Sequence, residues 1–580
     1  MNSPAPQQKR IRIGDILVAQ QIISQDQLEQ ALRDQKSSGR KLGKSLVALG
    51  HVDENTLLSI LSQQLNIPFV ELKQYPFDAN LIRTMPETLA RRFRVMILKK
   101  ESDGLLLGMA DPTDIFALDE LSRSLKATLK PAVVREAELL DILDLVYSSE
   151  DEIASLAGQL DEELEGVAVD LADVITDAPD SEAPVVKLLQ AVFEDAIKTK
   201  ASDIHIEPDE SVLRIRQRID GVLNEQVMNE KRIASALVVR LKLMSGLDIS
   251  EKRMPQDGRF NLKVKGRNID VRLSTMPVQF GESVVMRMLD HTGGVMPLEK
   301  VGMPPAIIGR FRDVIQRPHG LVLVTGPTGS GKTTSLYGAL SEINTVDKKI
   351  ITVEDPVEYR LPRISQVQVH EKIGLTFSKV LRAALRQDPD ILLVGEIRDA
   401  ESAEIALRAA MTGHLVLSTL HTNDAITSAL RLTDMGVDSF LVAASLKAIV
   451  AQRLVRRICE SCAVDAVPDS NEQQLLDLAA KKQPIGNVQF RTGRGCAHCH
   501  DTGYRGRIGV FELLEINRAM SNALRDNNVL EFNRAAHNHP HFLPLSYSAL
   551  ELAKEGITSL SEVLRVSALV EDEALQDVLS

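Results

Sequence analysis

The chain has 580 residues, 44% of them apolar, and a formal charge of −12 at pH 7. That length exceeds one hydrophobic core and predicts roughly three to five domains. The acidic balance gives no global footprint for nucleic acid, no run reaches the ~20 apolar residues of a membrane span, and residues 1–10 lack a signal peptide's apolar centre. These features predict a cytoplasmic protein that touches membranes through partners and has no nucleic-acid polymer as substrate.

The first module covers residues 1–147. Within it, residues 12–35 realign on residues 41–64 at a constant offset of 29: Arg12/Lys41, Gly14/Gly43, Leu17/Leu46, Leu28/Leu57, Leu32/Leu61 and Gln35/Gln64 superimpose. Helical pairs repeat when packing repeats, so leucines at helical spacing are core positions in the plain reading. Packing does not by itself demand a glycine and a cation at one end of each copy and a glutamine at the other. Residues 148–183 follow as an acidic linker, with about a dozen acids and no Lys or Arg between Glu150 and Glu182, the composition of a solvated, partly helical segment. From 184 to 292, helical periods alternate with strand-like runs such as Leu213–Ile219 and Ile269–Thr275, predicting a smaller α+β domain. A connector over 293–303 leads to residues 304–580, where strand, loop and helix alternate as in a doubly wound α/β sheet.

The strongest motif lies there. The apolar run Leu321–Val324 feeds Gly326, Pro327, Thr328, Gly329, Ser330, Gly331, Lys332, Thr333 and Thr334, a glycine-rich phosphate loop that opens a helix. Its glycines let backbone N–H groups wrap phosphates, Lys332 neutralises β/γ charge, and the Thr333 hydroxyl suits Mg²⁺. Two later strands end in acids: Ile350–Val353 runs into Glu354 and Glu358, and Ile391–Val394 runs into Gly395 and Glu396. Ligands of open α/β sheets collect beyond the carboxyl ends of strands, so these acids fall beside the phosphate loop. One carboxylate can hold the Mg²⁺ water shell while another polarises a water for attack on ATP. A third segment carries His414 and His421. Either histidine alone reads as structural; in series with the other boxes, His421 is a candidate sensor of the γ-phosphate.

All four cysteines form two pairs, Cys459/Cys462 and Cys496/Cys499, about thirty residues apart. This is the spacing of a tetrathiolate Zn²⁺ site with a structural role. Reducing conditions argue against two disulfides. His498 and His500 are close enough to compete, but four thiolates complete the shell.

The ordered boxes ITVEDPVE, ILLVGEIRD and TGHLVLSTLHTN behind the phosphate loop resemble the secretion ATPase superfamily of type II secretion and type IV pilus motors over residues 184–580. ASDIHIEP (201–208) and RLSTMPVQFGESVVMR (272–287) resemble that family's smaller motor domain. The resemblance implies a multidomain α/β protein with a RecA-like P-loop ATPase core, a preceding α+β, PAS-like domain, a C-terminal zinc subdomain at about 456–508 and a mainly helical N-terminal regulatory domain. It also implies a homohexamer working under an inner-membrane platform protein. Within it Glu358 is the candidate general base, Glu396 the Walker B carboxylate, and Arg272 and Arg287 candidate cations for the triphosphate, with both cis and trans arrangements open. The alternative for the arginines is pairing with Asp270 or Glu282. Family assembly and secretion ATPases commonly carry the cysteine insertion, which favours extension over retraction. The tandem motif is similar to the N-terminal cyclic di-GMP-binding domain of certain pilus ATPases. That likeness implies contacts from Arg10, Arg12, Gly14, Leu17, Leu28 and Gln35, and from Lys41, Gly43, Leu46, Leu57 and Gln64. The alternatives are a type II secretion ATPase and, from another class, a nucleotide-gated scaffold with little turnover; a conjugative DNA-transfer ATPase ranks behind both.

Overall fold

The computed structural model describes residues 13–38, 42–73, 75–147, 150–165, 184–264, 266–290, 294–480, 485–486 and 488–568. They fall into two compact units: one runs to Asp151 and includes Glu460–Cys462 and Gly495–Thr502, and the other holds the rest. No helix among the described residues is long and apolar enough to cross a membrane.

In the first unit the tandem motif becomes two copies of one helix pair, α1 (Ile13–Ala19) with α2 (Gln25–Ser38), and α3 (Leu42–Ala48) with α4 (Glu54–Leu65). Leu17, Leu28, Leu46 and Leu57 share one buried cluster. A Cβ on Gly14 would lie 2.7 Å from a Leu28 methyl, and one on Gly43 would lie 2.9 Å from a Leu57 methyl. Each glycine therefore admits the leucine of its partner helix. The turn between paired helices is left-handed in both copies, at Gln21 (φ 58°) and Gly50 (φ 72°). The first copy holds it with a side chain, at a strain of roughly 1–2 kcal/mol. Beyond the repeat, β1 (Val95–Glu101), β2 (Gly104–Met109) and β3 (Leu129–Val133) form a sheet in that order. Arg135, after β3, donates to Asn55 in the first turn of α4 (2.7 Å) and to Glu71 (2.9 Å), tying the repeat to the sheet.

The second unit starts inside the acidic stretch, part of which is a helix, Glu150–Glu165. Ile153, Ala157 and Leu160 are buried in the core of the following domain. Apolar residues at i, i+4 and i+7 make one stripe that packs, a pattern that bulk composition conceals. That domain is a six-stranded antiparallel sheet in the order β6-β5-β4-β9-β8-β7. The strands are β4 (Asp203–Pro208), β5 (Leu213–Ile219), β6 (Val222–Met228), β7 (Gln256–Val264), β8 (Arg267–Val278) and β9 (Gly281–Asp290). Helices Pro184–Lys198 and Ile233–Met244 supply the apolar face packed in its core.

The larger sheet comprises β10 (Gly320–Thr325), β11 (Ile350–Glu354), β12 (Ile364–Gln368), β13 (Ile391–Val394), β14 (Leu415–Leu420) and β15 (Leu446–Ile458). A hairpin of β16 (Ala463–Asp465) and β17 (Arg491–Gly493) interrupts the chain before β18 (Tyr504–Glu515) returns to the sheet edge. The order is β12-β11-β13-β14-β10-β15-β18, parallel except for β18. Every residue of β10, β11, β13 and β14 is buried, as expected for strands covered on both faces. Because these four strands are neighbours and parallel, their carboxyl ends form one edge.

Candidate functional site

The phosphate loop leaves β10 at that edge. Gly326, Gly329 and Gly331 have φ of 145°, 79° and 90°. A Cβ on Gly326 would sit 2.3 Å from the Gln452 carbonyl oxygen of β15, so the loop presses on its neighbour as only glycine permits. The helix Lys332–Ile343 starts where the loop ends, and its first-turn N–H groups and dipole favour an anion. Ser330 Oγ is buried in the loop without a hydrogen-bond partner, an orphaned donor that suits a phosphate oxygen.

Lys332 Nζ donates to the carbonyl oxygens of Gly326 (2.8 Å) and Pro327 (3.1 Å). Burial pushes its ammonium down to about 8, with Glu396 pulling the other way and Arg453 adding to the drop. Polyphosphate charge favours the protonated form, so nucleotide binding near pH 8 should take up about half a proton per site. Calorimetry in two buffers of different ionisation enthalpy reads this uptake, and Lys332→Arg should abolish it. Identical apparent enthalpies for the native protein would mean that Lys332 is charged beforehand. The linkage has a fixed sign: between about pH 8 and ~10.4 the unfolded lysine holds the proton that the folded one has released, so the free protein gains stability from this group as pH rises.

Three neighbouring strands bring side chains to the same edge. Glu396 follows β13 and His421 follows β14; His421 Nε2 is 3.1 Å from Glu396 Oε2. Arg398 pairs with Glu396 and lies 3.6 Å from Asp355. Beyond β11, Glu358 accepts a hydrogen bond from Arg272 of β8 at 2.8 Å, so the smaller domain reaches the site through an arginine. Glu354, at the end of β11, is only 4% exposed and accepts from the Tyr337 hydroxyl and from Thr352 Oγ1, both at 2.5 Å.

Two residues singled out in the sequence stand elsewhere. His414 precedes β14, with Nδ1 3.0 Å from the Ala409 carbonyl oxygen, and a six-residue strand separates it from His421 by roughly 20 Å. Arg287 donates from Nε to Asp203 at 3.0 Å within its own sheet, a partner other than Asp270 or Glu282. Three residues at the site had no assigned role in the sequence reading: Arg398, Tyr337 and Gln366. Arg398 sits two positions after Glu396 in a motif already noticed, whereas Gln366 enters only because β12 pairs with β11.

For the tandem motif, Arg10, Arg12 and Lys41 lie outside the described residues. Gly14, Gly43 and the four leucines form the packing described above, so those leucines are core rather than open surface. Gln35 is half-buried and Gln64 exposed, each near the end of its helix.

The sulfurs of Cys459, Cys462, Cys496 and Cys499 lie within 4.8 Å of one another. The Cys462–Cys499 and Cys496–Cys499 separations are 3.8 and 3.7 Å. A tetrahedral ion with Zn–S bonds of about 2.3 Å requires sulfur edges of about 3.8 Å, so the donors fit Zn²⁺. His498 directs Nε2 to the Leu72 carbonyl oxygen at 3.2 Å.

A parallel sheet with a phosphate loop, two strand-end carboxylates and a helix N-terminus at one edge defines a RecA-like P-loop ATPase core. Residues 178–565 match the family model described as Type II/IV secretion system protein, and residues 65–153 match the MshEN domain. The chain belongs to the Type II/IV secretion system protein family and is a P-loop ATPase of that family. It is 40% identical over 562 residues to the Type IV pilus assembly ATPase PilB of Myxococcus xanthus, covering 95% of this chain and 98% of that protein. Against the Type II secretion system ATPase E of Vibrio cholerae, identity is 42% over 502 residues, covering 85% and 98%. A solved structure of MshE with cdg aligns with 24% of this chain and 99% of its own at 38% identity and a TM-score of 0.23.

Proposed function

We propose that the protein is a hexameric motor that couples ATP hydrolysis to assembly of a type IV pilus of the MSHA kind, under control of cyclic di-GMP. The observation that carries the motor is the convergence of Lys332, Glu358, Glu396 and His421 on the carboxyl edge of one parallel sheet. The pilus assignment is supported by coverage: the pilus relative aligns over 95% of the chain, the secretion relative over 85%. The regulatory assignment is supported by the MshEN match and by the tandem motif ahead of it.

In this reading the loop N–H groups and Lys332 bind the triphosphate, and Glu358 accepts a proton from the attacking water. Arg272 carries the smaller domain's position to that carboxylate, and His421 with Arg398 fixes Glu396. Mg²⁺, when bound, neutralises phosphate charge, and Thr333 and Glu396 are the residues that would hold it and its waters. Work reaches the membrane through an inner-membrane platform protein. Cyclic di-GMP has two similar halves and so suits two copies of one motif, with Arg12 offering a planar fork and Lys41 a point charge.

The test is phosphate release from the full chain with and without cyclic di-GMP, alongside calorimetry of the dinucleotide. The expected result is Mg²⁺-dependent turnover and one saturable site per chain, weakened more by Arg12→Ala than by Lys41→Ala. Absence of heat in folded protein would reduce the repeat to a packing device. Tight ATP binding without turnover, in the presence of partner, would favour the scaffold.

A further inference from the structure

Gln366, on the edge strand β12, faces Thr352 of β11. Its amide joins two parts of the ATPase domain. Oε1 accepts the Leu361 N–H at 2.7 Å. Nε2 lies 3.2 Å from the Tyr359 carbonyl oxygen, 3.3 Å from Glu354 Oε1 and 3.4 Å from the Tyr337 hydroxyl oxygen. Only this amide orientation is compatible with its surroundings. The reverse would set an oxygen against a carboxylate and a carbonyl, and an NH₂ against an N–H.

The anchors on the far side are fixed. Glu354 is buried, and Tyr337 is fully buried in the helix that starts at the phosphate loop. The Tyr337 ring also meets the Tyr359 ring edge-on, with centroids 4.6 Å apart. Burial and the adjacent Glu354 push the Tyr337 hydroxyl's ionisation up, so it remains an O–H donor to that carboxylate; a hydrogen bond from the Glu358 backbone acts in the opposite sense. The loop held by Gln366 begins one residue after Glu358. Its two hydrogen bonds grip the backbone at 359 and 361, on either side of Arg360.

We infer that Gln366 is a positioning residue that sets the location of the Glu358 carboxylate relative to the phosphate loop, through the Tyr359–Leu361 backbone on one side and Glu354 with Tyr337 on the other. The inference rests on Glu358 being the base. A carboxylate displaced by about 1 Å from its water loses on the order of 100-fold in rate, so small slack in this loop is enough to matter.

The experiment compares Gln366→Leu, Glu358→Gln and the double variant in the full chain, reading phosphate release, binding of a non-hydrolysable ATP analogue and thermal unfolding. Gln366→Leu keeps the volume and removes the amide's hydrogen bonds to the 359–361 backbone together with its contacts to Glu354 and Tyr337. It should lower kcat by roughly 10- to 100-fold while analogue affinity stays within about 3-fold. Adding it to Glu358→Gln should cost no more than about 2-fold further, because the group it positions is already gone. Should the leucine variant fail to fold, Gln366→Asn carries the same comparison: its retracted amide should give a smaller loss that also vanishes in the Glu358→Gln background. A normal kcat in folded Gln366→Leu, with Glu358→Gln slow, overturns the inference and leaves the base in place. Losses that multiply in the double variant overturn it too, since Gln366 would then act elsewhere. Near-normal turnover in Glu358→Gln removes the base assignment itself and the inference with it.

Discussion

Replacing Glu358 with Gln should leave nucleotide binding within a few-fold and slow phosphate release at least ~100-fold, the ordinary scale for loss of a general base. The side chain sits on the loop that follows a fully buried strand, outside the phosphate-binding backbone, so the substitution removes a proton acceptor and leaves the cradle intact. It also weakens a charge-assisted contact, because Arg272 then meets a neutral amide instead of a carboxylate at 2.8 Å. That second consequence has its own signature. If Arg272 chiefly holds Glu358 in place, Arg272→Ala should cost much less in the Glu358→Gln background than alone. Glu358→Asp separates charge from reach: the carboxylate survives but retracts by one methylene, and a large loss in this variant points to geometry. The measurements are single-turnover phosphate release and analogue binding under the same conditions. Near-normal release in Glu358→Gln would pass the base role to another strand-end acid. Glu396, already between His421 and Arg398, would then be the first to examine, whereas Glu354 is sequestered by Tyr337 and Thr352.

The distinction between those acids shows where the sequence was legible. Buried apolar runs ending in Gly or Glu mark β10, β11 and β13, and parallel topology then requires their ends to be neighbours, so the sequence alone groups the phosphate loop, Glu358 and Glu396. Burial of a particular carboxylate was not readable in the same way. Glu354 and Glu358 lie four residues apart in one motif, yet one is enclosed by a tyrosine from the preceding helix and the other meets an arginine from a different domain. Both facts depend on tertiary pairing. His414 illustrates the reverse: it shares a motif with His421, but a β-strand rises about 3.3 Å per residue, so six strand residues carry the pair to opposite edges of the sheet. The acidic stretch before residue 184 was read from its charge, while its packing is decided by three apolar side chains at helical spacing, Ile153, Ala157 and Leu160. In the tandem motif, the offset of 29 predicted equivalent backbone in both copies. The left-handed turn at Gln21 and Gly50 keeps that equivalence where the residue types differ.

Removing the metal should be felt locally and strongly. The four cysteines flank a segment whose regular structure, among its described residues, is a hairpin of two three-residue strands, β16 and β17, and one helix, Ser470–Ala480. Hairpins this short do not persist unaided, and in small zinc peptides the apparent metal affinity of about 10–16 kcal/mol is the folding free energy. The sulfur edges of 3.7 and 3.8 Å already match a Zn²⁺ tetrahedron, so little rearrangement separates these ligands from a closed site. Cys499→Ser should therefore release the ion and open residues 459–503 to proteolysis and hydrogen exchange. Nucleotide binding should survive. β15 passes the phosphate loop at Gln452, seven residues before Cys459, and is held there independently by β10 on one side and β18 on the other. The Arg456–Glu562 pair, with Nη2 to Oε1 at 2.9 Å, adds a tie between the loop and the first cysteine, so disorder in the insertion has a barrier to cross. The expected pattern is one zinc per native chain by elemental analysis, none in Cys499→Ser, protection lost across the insertion, and ATP-analogue affinity within a few-fold of native. Acidification should produce the same local opening, since protons compete with the metal for thiolate. Native protein that is fully folded and metal-free, or a serine variant that keeps its full complement of zinc, would end the tetrathiolate assignment. Loss of nucleotide binding together with the metal would instead show that the insertion and the phosphate loop fold as one cooperative unit.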